Sequence, residues 1–231
     1  MTIGLVFLTV LMAFIVGWLF RQTINVQPWQ EQATATALLP AMARPVARTG
    51  LWVFLGVASS LFVLFVSAYA MRLDFADWSP IPRPRLLMVN TAMLVGASLA
   101  MEWAVRAMRR GDDGGLRSGL AASGVLTAGF LAGQLVVWKQ LNDAAYFAGS
   151  SAAAAFFYLF TAVHGLHVLG GLVAWSRAMS RAWRVPKPAS LRLGVELCAT
   201  YWHYLLAVWL VLYALIVSED LGLAICSASP L

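Results

Sequence analysis

The sequence specifies an all-α, polytopic transmembrane helical bundle, and three observations carry that expectation. Of 231 residues, 61% are hydrophobic and only 11% charged, against about 25% charged in an ordinary soluble domain. Six runs, near 2–20, 49–71, 86–105, 118–138, 150–176 and 195–217, are apolar enough to span, each close to the roughly 20 helical residues needed to cross about 30 Å of hydrocarbon. The basic residues are unevenly placed. On a six-span map twelve of the sixteen fall on one side, and only Arg72, Arg83, Arg85 and Lys139 fall on the other. Such an excess marks the cytoplasmic face, so the odd-numbered loops are expected inside and both termini outside, as in a bacterial inner membrane. The net charge of +6 therefore serves contact with anionic headgroups, and nothing in its placement points to nucleic acid. Helices are required because backbone groups facing lipid must bond within their own segment, and the short alternating strands of a barrel are missing.

The first run has no basic residue before it, and Arg21 follows it, the reverse of a cleaved secretory leader. Residues 1–22 read as a retained anchor, 23–47 as a cytoplasmic linker rich in polar residues and proline, 48–218 as a five-helix core, and 219–231 as an external tail. In the second span Gly56, Ala58, Ser59 and Ser60 alternate with bulky Phe and Leu, which suits close helix contact on one side and lipid on the other. The loop after it holds Trp78 and several prolines, an interfacial segment that cannot be helical throughout. The third span opens with Asn90 and Thr91 and ends with Glu102 and Arg106, one turn apart and able to pair. "RRGDDGG" is a tight turn into the fourth span, and a short basic loop makes the fifth and sixth antiparallel. Cys198 and Cys226 support neither a disulfide framework nor a metal cluster. No internal repeat is visible, which argues against a transporter built from inverted halves.

Polar groups at membrane depth are expensive and mark candidate sites. They are Asn90, Gln134, His164, His167, Glu196 and His203, with Tyr158, Tyr201 and Trp202 close in sequence. His164 and His167 share a helix face at i, i+3, and Glu196 and His203 share one at i, i+7. Counted from the cytoplasmic boundary at 1.5 Å per residue, Glu196 is shallow and His203 roughly 10 to 15 Å deep, level with the other two histidines, so the three are expected to meet. Four readings are open for such a cluster: interhelical hydrogen bonding, a bis-histidine haem site, a non-haem metal site, and a proton relay through Glu196 and His203.

Two late segments carry a resemblance. "SSAAAAFFYLFTAVHGLHVLGGLV" followed by "VELCATYWHYLLAVWLVLYALI" resembles subunit III of the haem-copper cytochrome c oxidases. The matching residues are Phe157, Tyr158, Thr161, His164, Gly165, Leu166, His167, Val168 and Gly171, then Glu196, Tyr201, Trp202, His203, Val208, Trp209 and Leu210. "LWVFL…AYAMR", "NTAMLVGAS" and "GFLAGQLVVWKQL" are similar to the three preceding family helices, and the likeness spans residues 49 to 217. The resemblance implies an integral subunit without redox centres of its own, attending subunits I and II, which hold the haems and copper. It also implies a role in stabilising subunit I, in holding phospholipid in a helix cleft and in supporting proton uptake during aerobic respiration. On that reading His164, His167, Glu196, Trp202, His203 and Tyr158 form a lipid-binding or interhelical polar cluster. Trp52, Phe54, Asn90 and Thr91 are candidates for subunit contact. An accessory subunit of a nitric oxide reductase or quinol oxidase is the alternative. The family's buried carboxylate in this core's first helix is missing, since the chain reads Phe54, Leu55, Gly56, Val57, Ala58, and a second familiar acid is replaced by Leu206. Longer members have two helices before the five-helix core, and this chain has one.

Overall fold

The computed structural model describes residues 40–73, 75, 78–79, 81–82, 84–184 and 190–218. The expected N-terminal anchor, most of the linker and the C-terminal tail lie outside the described residues. Five helices follow one another: α1 (Pro40–Arg72), α2 (Leu86–Arg110), α3 (Asp113–Asp143), α4 (Ala152–Ala182) and α5 (Ser190–Ser218). All five are long and apolar enough to cross a membrane, and no strand occurs among the described residues. From Leu51 onward the described helices form one compact unit, the bundle described below.

The connections are closed by local chemistry. Gly111 adopts the left-handed conformation at φ 75°, Asp112 N–H bonds back to Ala107 and Gly111 N–H to Met108, the pair of bonds that ends a helix in a Schellman turn. Asp112 then caps α3, its Oδ1 accepting from Gly115 N–H at 2.9 Å, so one residue finishes one helix and starts the next. Ser151 caps α4 by accepting from Ala154 N–H. After α3 the same turn recurs with Ala145 in the left-handed position, at φ 64°, and Tyr146 N–H bonding to Leu141.

Packing is closest between α2 and α3, where small residues replace the knobs. A side chain added at Gly119 would meet the Ala104 backbone at 2.9 Å, and one at Gly133 would collide with the Asn90 amide. Gly115 against Ala107 and Gly129 against Met93 complete an antiparallel register. Close approach of backbones is how helices associate where lipid removes the hydrophobic drive. The α2–α5, α3–α5 and α3–α4 junctions are tied by tryptophans. Trp202 donates to Thr127 Oγ1 (3.1 Å), Trp209 to Thr91 Oγ1 (3.0 Å) and Trp138 to Thr161 Oγ1 (3.0 Å). Each threonine passes a bond to the carbonyl four residues back, on Ser123, Leu87 and Phe157 respectively. Trp175 reaches the Leu120 carbonyl directly.

α1 stands apart. No Cα of this helix comes within 8 Å of one on the other four described helices, and side chains bridge the gap: Ser59 meets the Tyr204 hydroxyl at 3.2 Å, Phe62 lies against His167 and Phe65 and Tyr69 lie against Phe160. The wide spacing leaves room between α1, α4 and α5.

Candidate functional site: three histidines and an apolar cavity

The histidines do not meet. His164 is fully buried, and its Nε2–H donates to the Leu205 carbonyl at 3.0 Å, with Phe130 edge-on and Trp209 beside the ring. That bond places a proton on Nε2, and Nδ1 has no partner among the described residues. His167 donates Nδ1–H to the Val163 carbonyl at 2.8 Å and faces the Phe54 and Phe62 rings of α1. His203 turns to α2, where Nδ1 lies 2.5 Å from Ser98 Oγ and Nε2 lies 3.6 Å from Glu102 Oε2. The three are level, since His164 bonds the Leu205 carbonyl and Tyr201 the His167 carbonyl; the meeting failed because His203 lies on the face of α5 that points to α2 rather than α4. The i, i+7 relation does hold: Glu196 also faces α2, pairing with Arg109 (3.6 Å) and with Arg192 on its own helix (3.4 Å). Glu102 pairs with Arg106 at 3.1 Å, as their spacing predicts.

A bis-histidine haem would need one imidazole from each of two facing helices. His164 and His167 belong to one helix and His203 looks elsewhere. Among the described residues no group of three His, Cys, Asp or Glu side chains is placed to hold a metal ion.

The other polar residues divide by position. Trp202 is wholly buried on Thr127, while Tyr158 lies at the far end of the bundle, its hydroxyl donating to the Tyr146 carbonyl at 3.0 Å. Tyr201 donates to the His167 carbonyl at 2.9 Å. Of the residues expected at a subunit contact, Trp52 and Phe54 are exposed. Asn90 is fully buried against Gly133, and Thr91 is taken by Trp209.

Between α1, α4 and α5 lies a cavity of about 650 Å³, within the size range of ligand-holding clefts. Leu51, Phe54, Leu166, Leu197 and Tyr201 give it apolar walls, and His167 is on its rim. Gly170 and Gly194 leave open space along it, Gly171 is covered by the Tyr201 ring, and Arg177 and Arg181 line the end nearest the α4–α5 connection. That end is shared with the α2–α3 turn, since Arg117 at the start of α3 donates to the Ala182 carbonyl at 3.3 Å. Arg177 and Arg181 were not among the expected site residues. The signal was present, two arginines one turn apart directly after a glycine-rich apolar run, but in sequence they are indistinguishable from ordinary positive-inside residues.

Comparison with known proteins agrees with this arrangement. The family model for cytochrome c oxidase subunit III matches residues 5–218. "Cytochrome c oxidase subunit 3" of Synechocystis sp. is 31% identical over 176 residues, covering 72% of this chain and 73% of the relative. The protein of the same name from Thermostichus vulcanus is 30% identical over 196 residues, 81% of this chain and 94% of the relative. A "Probable cytochrome c oxidase subunit 3" of Nocardia farcinica is 33% identical over 163 residues, 68% of this chain and 78% of the relative. A bundle of membrane-length helices with this match along nearly its whole length belongs to the cytochrome c oxidase subunit III family.

Proposed function

We propose that this chain is the structural and lipid-holding subunit of a proton-pumping terminal oxidase, seated beside the haem- and copper-bearing subunits I and II. The cavity between α1, α4 and α5 carries the reading. Its walls match acyl chains, and Arg177 and Arg181 at one end match a phosphate headgroup at the depth where such groups lie. A bound phospholipid would fill the space that α1 leaves and so stabilise both the bundle and its contact with subunit I. His167 and Tyr201 belong to the same wall. His164, Trp202 and Tyr158 act in helix packing, each through a bond already made within the bundle.

The shared end of the α2–α3 and α4–α5 connections, with Arg109, Arg110, Arg177, Arg181 and Arg184, is the cytoplasmic one by the positive-inside rule, and the opposite end carries Arg72, Arg85 and Lys139. Both termini are then periplasmic in a bacterial inner membrane. Residues 2–20 are an added anchor that docks against another subunit of the complex. Support for proton uptake would come from keeping subunit I intact, because the buried carboxylate of other members is replaced at Gly56–Ala58.

The test is native mass spectrometry of the purified complex, comparing the natural chain with an Arg177→Gln/Arg181→Gln variant. Loss of one bound phospholipid, with faster inactivation during turnover, is expected. An unchanged lipid complement in the variant would sink the lipid assignment. Purification with a core that does not reduce oxygen would move the chain to a nitric oxide reductase or similar assembly.

A further inference from the structure

His203 sits near the middle of α5, yet 47% of its side chain is exposed, and so is 32% of that of Glu102 beside it. Elsewhere the bundle presents apolar side chains at that depth: Val57, Val63 and Leu64 on α1, and Leu166, Leu169 and Val173 on α4. Those faces suit lipid. The α2/α5 face does not, because an imidazole and a carboxylate turned toward hydrocarbon are costly. Glu102 and Arg106 could direct their charges along the helix to the headgroups, but His203, about 20 Å from either end of its helix, has no such route.

We propose that the α2/α5 face is the surface on which a transmembrane helix of a partner subunit docks, and that this helix brings an uncharged hydrogen-bonding side chain, a hydroxyl or an amide, to the level of His203. This rests on reading the chain as one subunit of a larger oxidase. The partner's chemistry follows from the charges already balanced here. Glu102 is paired with Arg106 at 3.1 Å, and Ser98 occupies His203 Nδ1 at 2.5 Å. A further full charge at this depth would be uncompensated, whereas a neutral group can use the open side of His203 and Glu102. The surrounding side chains, Leu99 and Trp103 on α2 and Leu210 and Val211 on α5, are large, apolar and exposed, so they supply the packing such a helix needs.

The test uses the full chain in its native membrane, carrying a photo-crosslinking residue at Leu99 or Leu210, with Leu169 on α4, exposed and outside the cavity lining, as the control. An adduct with one haem-bearing core subunit from both test positions, and none from the control, is expected. In the purified complex, His203→Phe should lower the fraction of chain retained roughly three- to fifteenfold, the scale of one interhelical hydrogen bond, and His203→Gln should restore most of it. Adducts with lipid alone while the complex remains intact would overturn the proposal. So would adducts with a second copy of this chain, or labelling of Leu210→Cys by a membrane-impermeant thiol reagent, the sign of a water-filled cleft. A consistent adduct with a membrane protein that has no haem or copper would leave the docking face standing and defeat the oxidase reading instead.

Discussion

Trp202 donates its indole N–H to Thr127 Oγ1 across 3.1 Å, and both residues are wholly buried. The threonine hydroxyl donates onward to the Ser123 carbonyl at 2.8 Å, so a side chain of α5 ends up bonded, through one hydroxyl, to the backbone of α3. The same relay ties α5 to α2 through Trp209 and Thr91, and α3 to α4 through Trp138 and Thr161. A large ring thus fills space between helices while its one polar atom is satisfied, which is the condition for burying tryptophan without penalty.

Thr127→Val keeps the volume and removes both the acceptor and the relay. The Trp202 N–H is then buried without a partner, at a cost of about 1–3 kcal/mol. Thermal unfolding of the detergent-purified complex should occur several degrees lower. In a double-mutant cycle with Trp202→Phe, the coupling should be about 0.6–1.7 kcal/mol, the range of interhelical side-chain bonds in membranes. A coupling indistinguishable from zero would show that the bond does not hold the helices.

Gly124 on α3 has the Trp175 ring of α4 directly over its Cα, so that any Cβ would collide with it, and Trp175 in turn donates to Leu120 at 3.0 Å. Gly124→Ala should therefore displace the indole and destabilise the subunit by about 1–3 kcal/mol, as overpacking does. Combining it with Trp175→Phe, a smaller ring with no donor to lose, should recover part of that loss. Yield and melting temperature of the two variants measure this, and an additive decrease would refute steric conflict as the cause.

Much of this arrangement was legible in the sequence. Uncharged runs of spanning length located all five described helices, because hydropathy over about 20 positions is a strong, local signal, but six of the ten helix ends run five to nine residues past them. Glu102–Arg106 followed from one-turn spacing, and the turn at Gly111 from its glycines. What spacing could not supply was direction across the bundle. His203 was expected beside His164 and His167 because all three lie at one level, which they do; the rotation of α5 turns it to Ser98 on α2 instead. Asn90 is another case, since a polar residue opening a span is as compatible with a surface as with a slot, and only the bare backbone of Gly133 opposite makes the slot. The cavity was invisible for a related reason. It exists because α1 stands off from its neighbours, a distance no single helix encodes.

The divergent histidines make a spectroscopic prediction. The proposed packing role rests on His164 bonding Leu205 and His167 bonding Val163. His164→Phe and His167→Phe should leave the visible spectrum of the assembled complex unchanged. His164→Phe should lower its thermal stability, because it removes a buried bond worth about 1 kcal/mol, and His167→Phe should cost less. Loss of a haem band in either variant would overturn the packing role.

The two left-handed turn residues should respond oppositely to exchange. Gly111 and Ala145 occupy the same position in their turns, at φ 75° and 64°, but only glycine does so without a clash between Cβ and the following carbonyl, a clash that costs about 1–2 kcal/mol. Gly111→Ala should destabilise by about that amount. Ala145→Gly removes the clash but adds freedom to the unfolded chain, which offsets roughly 0.5–1 kcal/mol of the gain. The net is a small stabilisation, readable as a slight rise in melting temperature beside a clear fall for Gly111→Ala. Equal falls in both would mean that Ala145 is held by its Tyr146–Leu141 bond in a form that glycine loosens, and that strain at φ 64° is not what limits this turn.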